Sequence, residues 1–192
     1  MEGLQYAKDN HCASVCINPC NLDIAREVLE GSDVKIGTVI GFPSGAHTTF
    51  SKVAEAIDAY ARGAVELDMV IDIGALRNGE YDDVYNDIKA VVDATPAVVK
   101  VILENCYLTK EQIVKGCQLC EKAGADFVKT STGFAEGGAT VEDIKLMRES
   151  VSEKVHVKAA GGIHSKEDVE ALVAAGADRV GVSRTQAIAA EF

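Results

Sequence analysis

The sequence predicts an α/β protein built around a parallel sheet, and two observations support this fold class. Short, nearly continuous apolar runs recur along the chain, and amphipathic segments with helical spacing lie between them. Apolar strands that alternate with helices are typical of a parallel sheet covered by helices. The length of 192 residues favours a single domain, residues 1–192, with one sizeable core.

Seven apolar runs are predicted as strands. In chain order they are ASVCI (13–17), VKIGTVIGF (34–42), VELDMVI (65–71), VVKVILE (98–104), DFVKTST (126–132), VHVKAAG (155–161) and DRVGVS (178–183). Helical spacing predicts helices in KVAEAIDAYAR (52–62), KEQIVKGCQLCEKA (110–123) and SKEDVEALVAA (165–175), and residues 2–10 are interpreted as the end of a first helix.

A weak internal repeat supports a modular β/α architecture. The segments ARGAVELD (61–68), KAGADFVK (122–129) and AAGADRVG (174–181) each combine a helix end, a glycine-containing turn and an entering strand. The glycine suits a helix C-terminal cap, where the backbone adopts a left-handed conformation. Repeated units of this kind favour a barrel or a wound sheet. A closed (β/α)8 barrel has eight strands, so the seven predicted strands leave a doubly wound open sheet as an alternative.

Composition and charge narrow the class of partner. A formal net charge of −11 argues against nucleic acid or an anionic membrane as a general partner, although it is compatible with small anionic molecules. No apolar stretch is long enough to span a bilayer, and MEGLQYAKDN lacks the layout of a signal peptide. The six cysteines are expected to be free thiols of a cytoplasmic protein. Neither the histidines nor the lone CxxC pattern at 117–120 indicates a metal site, so no metal or cofactor is predicted.

The candidate catalytic residues are charged side chains placed in or at the ends of predicted strands. Asp68, Lys129 and Lys158 lie on three of these strands, among apolar neighbours. Burial and a second nearby cation both disfavour an ammonium group, and a neutral amine can attack a carbonyl to form a Schiff base. Lys158 would then supply the neighbouring charge, and Asp68 would relay protons. A single strand-end lysine is more often only paired or extended to solvent, but two on consecutive strands favour the catalytic interpretation.

Other charged residues near these strands have simpler interpretations. Glu66 and Glu104 are expected to be structural partners of the cations, and Lys100 is either a member of the interior set or a partner for a carboxylate. His47, in the loop GFPSGAHTTF (41–50), is expected to be a solvated loop histidine rather than a ligand contact.

A phosphate-binding region is predicted after the last two strands, which in barrels is the usual phosphate site. Glycines there allow backbone N–H groups to approach an anion, and the following helix turn offers free amides. The candidate residues there are Gly161, Gly162, Gly181, Ser183 and Arg184, and Gly133, directly after KTST of the fifth predicted strand, is a candidate for a further amide to the same anion.

The chain closely resembles the deoxyribose-phosphate aldolases, a class I aldolase family with a TIM-type (β/α)8 barrel. The resemblance is carried, in order, by ASVCINP (13–19), IGFPSGAHTTFSKVAEA (40–56), ELDMVIDIGAL (66–76), KVILE (100–104), FVKTSTGF (127–134), VKAAGGI (157–163) and GVSR (181–184). By motif it implies that Lys129 is the Schiff-base lysine, Lys158 the second lysine and Asp68 the proton-relaying carboxylate. The implied reaction is reversible cleavage of 2-deoxy-D-ribose 5-phosphate to D-glyceraldehyde 3-phosphate and acetaldehyde.

The resemblance also implies one departure and leaves alternatives for the function. Members of the family usually begin with a strand that carries an Asp-x-Thr-type motif, so relative to them we expect an N-terminally truncated barrel. A different Schiff-base enzyme for sugar phosphates, of the transaldolase type, is one alternative. A phosphosugar-binding barrel with impaired or no turnover is another. A homo-oligomer is compatible with the sequence.

Overall fold

The computed structural model describes all 192 residues as a seven-stranded parallel sheet surrounded by helices. The strands are β1 Ser14–Ile17, β2 Lys35–Ile40, β3 Glu66–Val70, β4 Val98–Ile102, β5 Phe127–Lys129, β6 His156–Ala160 and β7 Arg179–Gly181. Each strand pairs in parallel with the next one in the chain, in the order β1 to β7. This sequential order excludes the doubly wound alternative, in which the strand order reverses at a switch point.

The sheet is curled into a half-barrel. Asp68 on β3 and Lys158 on β6 lie three strands apart, yet their side chains form a hydrogen bond of 2.8 Å. Neighbouring strands lie about 4.8 Å apart, so this contact requires the sheet to bend around its interior. The hydrogen-bond ladder ends at β1 and β7, where Arg179 Nη1 lies 3.4 Å from Ser14 Oγ.

Nine helices precede, connect or follow the strands and cover the outer side of the sheet. They are α1 Glu2–Asp9, α2 Leu22–Val28, α3 Thr49–Ala61, α4 Ile73–Asn78, α5 Tyr81–Ala94, α6 Lys110–Ala123, α7 Val141–Glu149, α8 Lys166–Ala174 and α9 Thr185–Ala189. The helical segments predicted at 2–10, 52–62, 110–123 and 165–175 are confirmed as α1, α3, α6 and α8. None of the nine has the length and apolar character that crossing a membrane requires.

Local sequence signals explain where the repeated units begin and end. Thr109 and Gln112 form a capping box at the start of α6, and Gly124 ends the helix with a φ of 88°. The equivalent glycines after α3 and α8, Gly63 and Gly176, also have positive φ values, of 102° and 113°. The predicted left-handed glycine of the repeat is therefore present in all three units.

The alternation along each strand separates an apolar exterior from a charged interior. Leu67, Met69 and Val101 belong to a cluster of 33 buried apolar residues that forms the main core. Asp68, between Leu67 and Met69, and Lys100, next to Val101, point to the opposite face of the sheet, where their side chains form a hydrogen bond with each other. The curled sheet therefore gathers charged side chains from several strands in one place.

Candidate active site

Asp68 lies at the centre of the charged interior. Its side chain is buried, and its two oxygens accept hydrogen bonds from three lysines. Lys100 Nζ donates to Oδ1 at 2.9 Å, whereas Lys129 and Lys158 both donate to Oδ2, at 2.7 Å and 2.8 Å. One carboxylate oxygen therefore joins the two lysines that the sequence singled out.

The strand register explains how the two lysines meet. Lys129 on β5 and Lys158 on β6 are paired residues in the parallel ladder, so their side chains leave the same face of the sheet side by side. The relative exposures of the two residues are 5% and 4%, so both lysines are almost completely buried. The sequence correctly grouped these two amines with Asp68, and the structure adds that all three share one hydrogen-bond network.

The electrostatics of the cluster follow from this crowding. Burial alone would raise the pKa of Asp68, but the three neighbouring lysines hold that pKa well below its ordinary value. Burial lowers the pKa of Lys158, and the charges of Lys129 and Lys100 lower it further against the opposing effect of Asp68. Asp68 is therefore ionised at neutral pH, and Lys158 gives up its proton more readily than an exposed lysine does.

A further layer of charge continues from Lys100 toward β7. Lys100 Nζ donates to Glu66 Oε2 at 2.7 Å, and Arg179 Nη1 lies 2.8 Å and 2.9 Å from the two oxygens of Glu66. The guanidinium of Arg179 also lies over the ring of Phe127, 5.2 Å from its centroid. Glu66 is thus a partner of cations, as the sequence predicted. Lys100 belongs to the interior set and is also a partner for carboxylates, so both alternatives given for it hold.

Glu104 does not pair with a cation, and this part of the prediction was wrong. Its carboxylate accepts hydrogen bonds from the backbone N–H and the hydroxyl of Thr132, in the loop after β5. The backbone of Glu104 is left-handed, with a φ of 57°, a conformation that is strained for a non-glycine residue. Glu104 therefore fixes the loop that follows Lys129.

The glycine loops after β5 and β6 pack directly on each other. A Cβ atom added to Gly138 would lie 2.4 Å from the carbonyl oxygen of Gly161 and 2.9 Å from the backbone nitrogen of Gly162. A Cβ added to Gly161 would lie 3.6 Å from the Cα of Gly133. Three of the residues predicted to bind phosphate, Gly133, Gly161 and Gly162, are therefore held together, and Gly138, which was not among the predicted residues, belongs to the same packed loops.

The remaining members of that predicted set lie around β7. A Cβ on Gly181 would lie 3.2 Å from Cε of Lys158, so this glycine leaves room for the second lysine. Ser183 and Arg184 are exposed just before α9, and neither side chain forms an ion pair or hydrogen bond. His47 is exposed in the loop after β2.

An aromatic contact and a cavity lie at the mouth of the half-barrel. The rings of Phe42, after β2, and Phe134, after β5, meet edge to face with centroids 5.1 Å apart. Beside them is a cavity of about 370 Å³ whose lining includes Glu104, Thr132 and Arg77. The interior lysines are not among the residues that line this cavity.

Arg179 is the charged interior residue that sequence reasoning overlooked. It lies two residues before Gly181 in DRVGVS, so strand alternation places both residues on one face. Glu66 and Asp68 on β3 have the same spacing of two residues, so strand alternation could have indicated Arg179 as a further interior residue. Gly138 had no comparable signal, because the need for glycine arises only where two loops touch.

A buried amine beside a second amine and an ionised carboxylate, inside a β/α barrel, defines a site suited to carbonyl chemistry through a lysine imine. Comparison with known proteins agrees with this class. A family model described as DeoC/LacD family aldolase matches residues 3–185, and the chain belongs to this family.

Individual relatives are similar over nearly the whole chain. A deoxyribose-phosphate aldolase of Thermoanaerobacter pseudethanolicus is 56% identical over 190 residues, which are 97% of this chain and 85% of the relative. The solved structure of an aldolase named QR15 superposes with a TM-score of 0.95 at 42% identity and covers 100% of this chain and 86% of its own. The solved structure of a tetrameric deoxyribose phosphate aldolase of Aeropyrum pernix superposes with a TM-score of 0.89 at 31% identity. The match covers 96% of this chain and 79% of that structure's chain.

Proposed function

We propose that this protein catalyses the reversible aldol cleavage of 2-deoxy-D-ribose 5-phosphate to D-glyceraldehyde 3-phosphate and acetaldehyde. The observation that carries the proposal is the hydrogen bonding of Lys129 and Lys158 to the same oxygen of Asp68. The family membership and the names of the relatives support the choice of substrate.

The first step is formation of an imine on Lys129. In its neutral form the amine adds to the C1 aldehyde of the open-chain sugar, and the carbinolamine loses water to give a protonated imine. Two cations beside one carboxylate oxygen disfavour a fully protonated pair, so a proton leaves the pair more readily than it leaves two isolated amines. Assignment of the nucleophile to Lys129 rests on the KTSTGF motif, and Lys158 is the neighbour that accepts and returns protons.

The imine makes cleavage of the carbon–carbon bond feasible. A base takes the proton from the C3 hydroxyl, the C2–C3 bond breaks, and its electrons move toward the iminium nitrogen to form an enamine. D-Glyceraldehyde 3-phosphate leaves with carbons 3 to 5. Protonation of the enamine at C2 and hydrolysis of the resulting imine release acetaldehyde and regenerate the amine, so no cofactor is required.

Asp68 has two tasks in this scheme. Because its pKa is held low, Asp68 remains an anion. Its negative charge stabilises a neighbouring ammonium group, and its hydrogen bonds orient both amines. Because one of its oxygens contacts both amines, it also provides a short route by which a proton moves between them.

The phosphate of the substrate is assigned to the glycine loops after β5, β6 and β7. We infer that Gly133, Gly161, Gly162 and Gly181 offer backbone N–H groups, with Ser183 and Arg184 as side-chain donors. The close packing of the first two loops and the absence of side-chain partners for Arg184 support this assignment.

The test is product analysis with the purified protein. We expect equimolar acetaldehyde and D-glyceraldehyde 3-phosphate from deoxyribose 5-phosphate, and we expect acetaldehyde to be the preferred donor in the reverse reaction. The Lys129→Ala variant should be inactive, whereas Lys122→Ala, at the end of α6, should retain activity. Binding of the sugar phosphate by folded protein without any cleavage would refute the proposal.

The proposed reaction fits a cytoplasmic, self-associating enzyme. All six cysteines are free, which suits a reducing compartment. Helix α3 exposes two large apolar side chains, Phe50 to 82% and Ile57 to 51%, two turns apart on one helix face. An exposed apolar stripe of this kind supports association of identical chains.

A further inference from the structure

The half-barrel interior contains more positive than negative charge, and the surplus depends on residues that take no part in the proposed reaction. Three lysines and Arg179 surround only two carboxylates, Asp68 and Glu66. With every group ionised, the cluster would carry a net charge of about +2, an unfavourable state for buried groups. The cluster relieves this cost by releasing a proton, and the lysines are the groups that release it.

Arg179 on β7 is the ladder partner of Lys158 on β6, but its guanidinium is directed to Glu66 and the Phe127 ring rather than to the amines. Lys100 separates Glu66 and Arg179 from Asp68, because it donates to a carboxylate on each side. Glu66 is 5% exposed, and burial would raise its pKa, but hydrogen bonds from Arg179 and Lys100 lower it overall. Both groups are therefore charged at neutral pH, and neither needs to touch the substrate.

The other titratable groups facing the cluster do not add charge near neutral pH. On β1, Cys16 is exposed, but the protein around its thiol displaces part of the water and Asp68 adds a nearby negative charge; both raise the pKa of the thiol, which is therefore neutral. On β6, His156 stacks on Phe127 and points to Asp178, outside the cluster. The balance of charge within the interior is therefore set by the lysines, Asp68, Glu66 and Arg179.

We propose that Glu66 and Arg179 are positioning residues that set, with opposite signs, the pH at which the Lys129–Lys158 pair releases the proton needed for imine formation. This inference rests on the proposed function, because it concerns the same pair of amines. The negative charge of Glu66 lets the pair keep its protons to higher pH. The positive charge of Arg179 drives protons off the pair at lower pH.

The proposal predicts shifts in opposite directions for two adjacent substitutions. Glu66→Gln leaves Lys100 and Arg179 uncompensated, so the pH midpoint of imine formation should move to lower pH. Arg179→Gln leaves Glu66 with only Lys100, so the midpoint should move to higher pH. A unit charge about 10 Å away, at an effective dielectric constant of about 20, shifts such a midpoint by about one pH unit.

The experiment measures trapping of acetaldehyde on the protein by cyanoborohydride between pH 5 and 9, read by intact mass. Dividing each rate by the wild-type rate at the same pH removes the pH dependence of the reagent. On the acid side of the midpoint, Glu66→Gln should be trapped about tenfold faster than wild type and Arg179→Gln about tenfold slower. Arg179→Lys and the double Gln variant should return toward the wild-type midpoint.

Control variants distinguish charge tuning by Glu66 and Arg179 from a purely structural effect, and a separate outcome tests the proposed aldolase function. Glu142→Gln and Arg26→Gln change charges at exposed sites, where solvent screens them, and should leave the midpoint unchanged. Shifts of both interior variants in the same direction, or no shift in folded protein, would overturn the inference. If wild-type protein is not trapped at all, the proposed function fails. NMR titration of ¹³C-labelled lysine side chains then still tests the opposite shifts without any reaction.

Discussion

Replacing Asp68 with asparagine perturbs the interior most sharply, because it removes one charge and almost no volume. The wild-type carboxylate accepts hydrogen bonds from three lysines and lies out of contact with solvent. An asparagine amide has only one oxygen. In either orientation its NH₂ group points toward at least one ammonium donor, so the variant combines a lost charge with a clash between donors.

The size of the effect follows from the burial of the ion pairs. Removing one partner of a buried ion pair typically costs about 3–5 kcal/mol, because the remaining charge is left uncompensated. The amines can escape this cost by releasing protons, so we expect about 3 kcal/mol at pH 7. The variant's unfolded state then binds more protons than its folded state, and the stability of the variant should rise with pH up to about 10, near the ordinary lysine pKa. The destabilisation should therefore shrink between pH 7 and pH 9.5.

Two assays test this reasoning, with Asp87→Asn as a matched control. Asp87 forms a buried ion pair of 2.6 Å with Lys52 between α3 and α5, away from the charged interior. Urea unfolding should show that both variants lose stability. In Asp68→Asn the amines are more readily neutral, so acetaldehyde trapping should persist while the rate of sugar cleavage falls about 10²- to 10⁴-fold, as loss of proton transfer does. Asp87→Asn should retain both activities. Sugar cleavage at the wild-type rate in Asp68→Asn would refute the role of Asp68 in proton relay. Loss of acetaldehyde trapping in folded Asp68→Asn would show instead that the carboxylate positions the nucleophile.

Three further substitutions test the site, each with its own measurement. Gly138→Ala places a methyl group 2.4 Å from the Gly161 carbonyl, so we expect KM for deoxyribose 5-phosphate to rise more than KM for unphosphorylated deoxyribose; equal effects on both would argue against a phosphate site in these loops. Gly181→Ala crowds Lys158 at 3.2 Å, so kcat should fall about tenfold while the urea midpoint changes little, and unchanged kinetics would contradict the contact. Lys158→Ala should still be labelled with acetaldehyde but slowly, because Lys129 then lacks the neighbouring cation that favours loss of a proton; labelling as fast as in wild type would remove the tuning role of Lys158.

Much of the fold was predictable because local signals agree with the tertiary structure. The apolar runs correspond to the seven strands in order, and the glycine of each repeat marks a turn that requires a left-handed backbone. Helix α5, at Tyr81–Ala94, was not predicted, although Val84, Ile88 and Val91 have helical spacing and are buried.

The strand ends were harder to predict because contacts at the barrel mouth override local propensity. The run DFVKTST suggested a strand as far as residue 132, but β5 ends at Lys129. Beyond that point, Thr132 turns to meet the carboxylate of Glu104 on the neighbouring strand's loop. No local pattern encodes this contact.

The candidate site was predictable where charged residues stand out within apolar strands and not where it depends on distance in space. Asp68, Lys129 and Lys158 were grouped because each lies among apolar neighbours in a predicted strand, and the curled sheet brings them together. The charge balance that includes Arg179 emerges only when β7 and β3 are seen to face each other across the interior.

The central claim is that Lys129 becomes covalently linked to the substrate carbon, and locating the adduct tests it most directly. Protein incubated with acetaldehyde and reduced with borohydride should be digested and its peptides sequenced by mass spectrometry. We expect an ethyl group on Lys129 in the peptide that contains KTSTGF, and no such group in Lys129→Ala. An adduct found on Lys158 instead, or on no interior lysine of folded protein, would contradict it.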